Sequence, residues 1–143
     1  MKAIRCFLTV TCFAIAATSC SQTFQAKVPH PETIRSAKSA HVVRHENSNR
    51  DIDLYLKNAL VSKGVRATNG PGSRPADLEV TYVDRWHWDL AMYLRTLDVS
   101  VTDPKTGKEV ASAIYRNSFI HVFPDAEKTS QHLVDDIFSK AGH

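Results

Sequence analysis

Cys20 is the residue of this sequence with the most definite chemistry. All three cysteines of the chain lie within its first twenty residues, and three small residues, Ala17, Thr18 and Ser19, stand directly before Cys20. A thiol at such a junction is what covalent lipid attachment requires, because the sulfur takes a diacylglycerol and the chain is then cut in front of it. The spacing therefore indicates Cys20 as an acylated first residue of the mature chain.

The residues ahead of Cys20 have the organisation of an export signal. Lys2 and Arg5 form a short basic start, and residues 7–17 are mostly apolar. Such a run is too short to span a bilayer but long enough for the apolar part of a signal peptide. We therefore expect residues 1–19 to be removed during export.

The junction resembles the lipobox of bacterial lipoproteins, with Ala17 where leucine is usual and Thr18 where Ala or Ser is more common. Ser21 follows the cysteine where an inner-membrane retention signal of Gram-negative bacteria would usually carry aspartate. The resemblance implies a lipid anchor in the outer membrane, with the domain facing the periplasm. The open alternative is an ordinary secretory signal that leaves an unmodified Cys20 in a soluble periplasmic protein.

The charge of the mature chain argues against a nucleic-acid partner. Removal of residues 1–19 takes Lys2 and Arg5 from the 18 basic residues and leaves the 15 acidic residues untouched, so the net charge falls from +3 to +1. A strongly basic surface is the usual mark of a nucleic-acid partner, and this balance does not supply one. Acylation of Cys20 would leave no thiol for a disulfide, a nucleophile or a metal site.

Residues 20–39 are predicted to be a lipidated tether. They are polar, contain Pro29 and Pro31, and show no sustained apolar period. Residues 40–143 are predicted to form a single α/β domain, which is long enough to bury a core without disulfides.

The first half of that domain has the pattern of a strand, a helix and a second strand. Short β-prone runs occupy residues 41–45 and 65–68, and the residues between them carry an apolar helical face. This face consists of Ile52, Tyr55, Leu56, Ala59 and Leu60. Gly64 stands where a left-handed residue would end the helix, so residues 41–68 predict a βαβ unit.

The second half has alternating strands and a final amphipathic helix. Apolar residues alternate over 78–82 and 97–102, and residues 103–107 have the composition of a hairpin turn before a last strand at 110–116. A helix is predicted from Pro124 or Asp125 to Ala141. The sequence thus predicts an α+β fold: a two-layer β-α-β-β-β-α sandwich with a mixed sheet and two helices on one face.

An aromatic segment between two predicted strands is the main candidate for a partner contact. The candidate contact residues are Trp86, His87, Trp88, Met92 and Tyr93. Tryptophan and tyrosine are enriched at binding hot spots, and on a strand Trp86 and Trp88 would share one face. The same side chains could instead cover the end of the sheet, and both interpretations stay open. A contact with lipid headgroups is a third interpretation for an anchored protein, but no basic cluster accompanies the tryptophans to favour it.

No pattern of catalytic or metal-ligating residues stands out. His41 and His45 would be over ~13 Å apart on a strand, which is too far for one ion. Asp135 and Asp136 are neighbours on a predicted helix and therefore diverge. We expect no metal, no cofactor and no enzymatic activity. The named alternative is a cell-wall hydrolase that uses Asp84, Asp89 or His87.

The stretch 81–94, followed by the turn at 103–107, resembles a group of uncharacterised Gram-negative envelope lipoproteins. Residues 42–46 and the helix end at 59–64 fit the same group. A looser likeness, in element order alone, is to accessory lipoproteins such as curli-secretion lipoproteins and activators of penicillin-binding proteins. These resemblances imply a lipid-anchored accessory protein that binds an envelope protein or the cell wall.

Overall fold

The computed structural model describes residues 22–46, 48, 50–118 and 123–143. Cys20 and the predicted export signal at residues 1–19 lie outside the described residues. The strands are β1 (Gln22–Lys27), β2 (Ser39–Val43), β3 (Arg66–Gly70), β4 (Leu78–Asp89), β5 (Ala91–Asp103) and β6 (Lys108–Asn117). The helices are α1 (Pro31–Ser36), α2 (Ile52–Ser62) and α3 (Ala126–Ala141).

The strands form one mixed sheet in the order β1-β6-β5-β4-β2-β3. β2 runs parallel to both of its neighbours, whereas the other pairs are antiparallel. The predicted α+β fold with a mixed sheet is therefore confirmed. The predicted order β-α-β-β-β-α was incomplete, because the described chain carries six strands and three helices.

The βαβ unit is present as β2, α2 and β3. The register of the parallel pair runs from Ser39 opposite Arg66 to Val43 opposite Gly70. Helix α2 buries the predicted apolar face, in which Ile52 and Leu56 are fully enclosed, and it ends at Ser62 before the left-handed Gly64. β2 ends at Val43, so His45 lies beyond the strand on which it was predicted.

The two faces of the sheet differ in polarity. One face is apolar and belongs to the core beneath the helices; its rows include Val80, Val101 and Ala111, then Tyr82, Val99 and Ala113, then Leu97 and Tyr115. The opposite face carries polar rows such as Thr81, Ser100 and Ser112. The alternation along β4 and β5 therefore predicted correctly that one face is covered and the other meets water.

The prediction of a tether over residues 20–39 is wrong for the part that the structure describes. β1 pairs with β6 along its whole length, and α1 buries Ile34. Only Phe24 and Ala26 of β1 alternate toward the core, too few to stand out as a strand pattern. Pro31, which had suggested a break, occupies the first turn of α1, where the missing N–H costs nothing.

Asp77, directly before β4, forms hydrogen bonds with the residues at the start of β2, at the same end of the sheet. Its Oδ2 accepts hydrogen bonds from the backbone N–H groups of Lys38 and Ser39, each at 3.0 Å, and from Ser39 Oγ at 3.0 Å. These donors stabilise the carboxylate, so the bonds from Lys38 and Ser39 hold the pKa of Asp77 below its usual value. We call this end, which also holds the β5–β6 turn at 103–107, the turn end of the sheet.

Candidate interaction site

The β4–β5 hairpin extends past the rest of the sheet at the opposite end. β5 pairs with β6 only from Thr96 onward, whereas its pairing with β4 continues to Ala91 opposite Asp89. Residues 86–95 therefore form a two-stranded extension of the sheet, which we call the ribbon. We call this end of the sheet, where β6 also finishes at Asn117, the hairpin end.

A β-bulge separates the ribbon from the sheet. Arg85 lies opposite Thr96, but the next residue, Trp86, lies opposite Leu94, so Arg95 is the extra residue in β5. Bulges bend a strand pair and increase its twist. The bulge is therefore expected to bend the ribbon relative to the rest of the sheet.

Trp86, at the base of the ribbon, is held by protein groups. Its Nε1–H donates to Asp84 Oδ2 at 2.6 Å, and the guanidinium carbon of Arg50 lies 4.9 Å from the ring centroid. The ring is half-buried and packs against the core. Its indole N–H and one ring face are therefore occupied by protein groups. The ring itself covers the end of the core.

Tyr93 is also a structural residue, with only 2% of its surface exposed. Its ring meets His87 edge-on at 5.6 Å and Phe123 edge-on at 5.7 Å between centroids. Both distances fall in the range of favourable aromatic pairs. Phe123, which precedes α3, therefore covers part of one face of the ribbon, while Leu94 on the other face is fully buried.

The tip of the ribbon is apolar and exposed. Trp88 lies directly opposite Met92, and their exposed fractions are 66% and 41%. Leu90, at the turn, is 83% exposed, the highest value for a large apolar side chain in the described residues. We call Trp88, Leu90 and Met92 the apolar tip.

Leu90 has an unusual backbone conformation for its residue type. Its φ of 61° lies in the left-handed region, and no other non-glycine residue of the described chain has a positive φ. Glycine or asparagine would occupy this turn position at lower cost. Backbone preference and burial therefore both fail to account for a leucine here, which is a reason to seek a function for its side chain.

The predicted contact residues thus divide into two groups. Trp86 and Tyr93 are packed within the protein, whereas His87, Trp88 and Met92 are exposed. Leu90 was not among the predicted contact residues, although the period of two that relates Trp86 to Trp88 leads to position 90.

His41, the first of the two histidines that were predicted to lie on a strand, has both ring nitrogens within hydrogen-bond distance of protein groups. His41 is fully buried, with Nδ1 2.8 Å from Thr68 Oγ1 and Nε2 2.9 Å from the carbonyl oxygen of Gly72. Both ring nitrogens are therefore engaged in joining β2 to β3 and the following loop. Within the described ranges, no three His, Cys, Asp or Glu side chains gather into a metal-binding group.

The neighbouring carboxylates of Asp135 and Asp136, which were not predicted to be catalytic, have separate partners. Asp135 accepts from Lys63 Nζ at 2.6 Å and from Gln131 Nε2 at 2.9 Å, whereas Asp136 lies 3.7 Å from His132. Burial raises the pKa of Asp135, but the bonds from Lys63 and Gln131 outweigh it and the pKa lies below its usual value. As predicted, the two neighbouring carboxylates diverge, and they contact different partners.

The open face of the sheet holds a shallow concavity of about 500 Å³. Thr81, Val83 and Ile114 are among its lining residues. Its polar groups largely satisfy one another, since Ser100 Oγ donates to Glu109 at 2.7 Å and Arg116 pairs with Asp98. The apolar tip therefore remains the more distinctive surface.

Comparisons with known proteins bear on the fold. Two solved structures of the PelC dodecamer from Paraburkholderia phytofirmans superpose on this chain with TM-scores of 0.54 and 0.55 at 13% identity. Both alignments cover 85% of this chain and 97% of the PelC chain. At this identity the likeness shows a shared fold and nothing more.

A PDZ domain protein from Parabacteroides distasonis aligns with a TM-score of 0.47 and 12% identity, over 81% of this chain and 35% of that protein. This score is too low to support an argument. No family model and no curated protein matches the chain. None of the helices in the described part of the chain is long and apolar enough to cross a bilayer.

Proposed function

We propose that this protein is a lipid-anchored component of the bacterial envelope, acylated on Cys20. The observation that carries the proposal is the arrangement of residues 1–20, in which a basic start, an apolar run and three small residues precede Cys20. Several acyl chains hold a protein at a bilayer far more firmly than one, because each buried CH₂ contributes ~0.8 kcal/mol. Ser21 favours the outer membrane and a domain that faces the periplasm.

We propose further that the protein acts by binding rather than by catalysis. The exposed apolar tip supports a contact role, since aromatic and large apolar side chains dominate binding energy when they become buried. The neighbouring Asp84 is engaged by the Trp86 indole, which argues against its use as a hydrolytic acid or base. Envelope proteins and the cell wall are the proposed partner classes.

The fold likeness suggests which protein partner to test first. PelC is solved as a dodecamer, and almost the whole PelC chain aligns with this one. A second copy of this chain is therefore a reasonable candidate partner. Crosslinking in cells, followed by identification of the linked peptides, would distinguish self-association from contact with another envelope protein.

Mass spectrometry tests the anchor. Protein purified from Gram-negative membranes should begin at Cys20 and carry a diacylglycerol and an added acyl chain. Cys20→Ala should move the protein from the membrane fraction to the soluble periplasmic fraction, while Cys12→Ala should leave both the mass and the fractionation unchanged. A mature chain with an unmodified Cys20 would contradict the proposal and support the secreted alternative.

A further inference from the structure

The start of β1 and the apolar tip lie at the same end of the sheet. Gln22, the first residue of β1, lies opposite Asn117, the last residue of β6. The preceding residue of β6, Arg116, lies opposite Thr96 of β5, which is the residue next to the ribbon. The chain therefore enters the domain at the hairpin end, and Cys20 is only two residues ahead of Gln22.

Only one residue, Ser21, lies between Cys20 and the start of β1 at Gln22. Two residues reach at most about 7 Å, and β1 is paired with β6 from its first residue, so no long tether intervenes. From the Arg85–Thr96 pair to Leu90 the ribbon advances five residues along β4, or about 16 Å at the usual rise, less whatever its twist removes. A membrane reached by an acylated Cys20 would therefore lie within reach of the apolar tip.

The chemistry of the ribbon fits a shallow membrane contact. Tryptophan favours the interfacial region of a bilayer, and leucine and methionine beside it favour the adjacent acyl chains. Arg85 and Arg95 are exposed at the base of the ribbon, where guanidinium groups would meet lipid phosphates. Asp89, next to the turn, limits the depth because its carboxylate favours the headgroup region.

We propose that the apolar tip inserts into the membrane interface beside the acylated Cys20 and forms a second, protein-borne membrane contact. This inference rests on the proposed acylation of Cys20. The contact would fix the orientation of the domain, with the hairpin end at the lipid and the turn end directed away from it. It also accounts for the exposed leucine in a left-handed turn position.

Tryptophan quenching by brominated lipid provides the test. The full chain is purified from Gram-negative membranes, its acylation is verified by intact mass, and it is reconstituted into vesicles of phosphatidylethanolamine and phosphatidylglycerol with or without brominated acyl chains. Trp86→Phe leaves Trp88 as the sole tryptophan, because the chain has two. Emission from Trp88 should shift to the blue and fall roughly twofold in brominated vesicles, as expected for interfacial burial.

Two matched variants serve as controls. In Trp88→Phe, emission from the packed Trp86 should respond much less to the brominated lipid. Leu90→Asp, made in the Trp86→Phe chain, should abolish the quenching of Trp88. Val61→Asp should preserve it, because Val61 is an exposed apolar residue near the end of α2, which leads to the turn end of the sheet.

The outcomes separate this inference from the proposed function. An acylated protein whose Trp88 is unquenched by brominated lipid would overturn the membrane contact and leave the anchor intact. If that Trp88 were also protected from aqueous acrylamide, the tip would instead be buried against protein, and crosslinking would identify a second copy or another partner. A protein without acyl chains would overturn both the anchor and the inference built on it.

Discussion

The two tryptophans of this protein lie two residues apart on one strand, yet the structure gives them different surroundings. Trp86 is half-buried, with its indole N–H bound to Asp84 and Arg50 against its ring. Trp88 is opposite Met92 on the ribbon and is mostly exposed. The alternation of side chains along a strand determines that Trp86 and Trp88 share a face. The length of the neighbouring strands and helices determines that this face is covered at Trp86 and exposed at Trp88.

Replacement of the two tryptophans should have unequal effects on stability. Trp86→Ala should lower the free energy of unfolding by about 2–3 kcal/mol, somewhat less than for a fully buried tryptophan, because it removes half-buried packing at the end of the core. Trp88→Ala should change it by less than about 0.5 kcal/mol. Urea denaturation followed by circular dichroism measures both values. Equal losses would show that the tip is packed like the base of the ribbon.

Removal of the Trp86 hydrogen-bond acceptor should have an intermediate effect. Asp84→Ala should cost about 1 kcal/mol, since the indole N–H loses a charged acceptor at a partly exposed site. The matched control Asp98→Ala breaks the exposed ion pair with Arg116 and should cost less, about 0.5 kcal/mol. The same denaturation assay applies, and a larger loss for Asp98→Ala would contradict the assigned role of Asp84.

Acid should weaken the turn end of the sheet through Asp77. The folded-state pKa of Asp77 lies below its unfolded value near 3.8, so its contribution to stability is present above pH 3.8 and is lost as the pH falls through the folded-state pKa. Asp77→Asn should therefore reduce the difference in urea midpoint between pH 6 and the acid range below pH 3.8. Glu79→Gln is the control, and an equal reduction in that variant would argue against a specific role for Asp77.

The sequence predicted the covered core well because its periodic elements are long. The helical face of α2 and the alternation along β4 and β5 each repeat often enough to define a buried side. β1 and α1 were missed because only Phe24, Ala26 and Ile34 mark their buried sides. Those residues become buried only because the edge of β6 and the C-terminal part of α3 are available, and this tertiary arrangement leaves no local pattern.

The sequence predicted the segment that holds the candidate site but not which of its residues are exposed, because exposure depends on tertiary contacts. The aromatic composition of residues 86–93 pointed to the correct segment. Its division into a packed base and an exposed tip depends on where β6 stops pairing with β5, on the bulge at Arg95 and on cover from Phe123. None of these follows from the local sequence, and Leu90 gained significance only from its conformation and exposure.

The depth of Trp88 in a bilayer is the most direct test of the account. Single-tryptophan chains acylated on Cys20 are reconstituted into two sets of vesicles, one with bromines close to the headgroups and one with bromines close to the chain ends. The account predicts that Trp88 is quenched most by the shallow bromines and that Trp86 is quenched little by either set. Equal quenching of the two tryptophans, or no quenching of Trp88 in acylated protein, would contradict it.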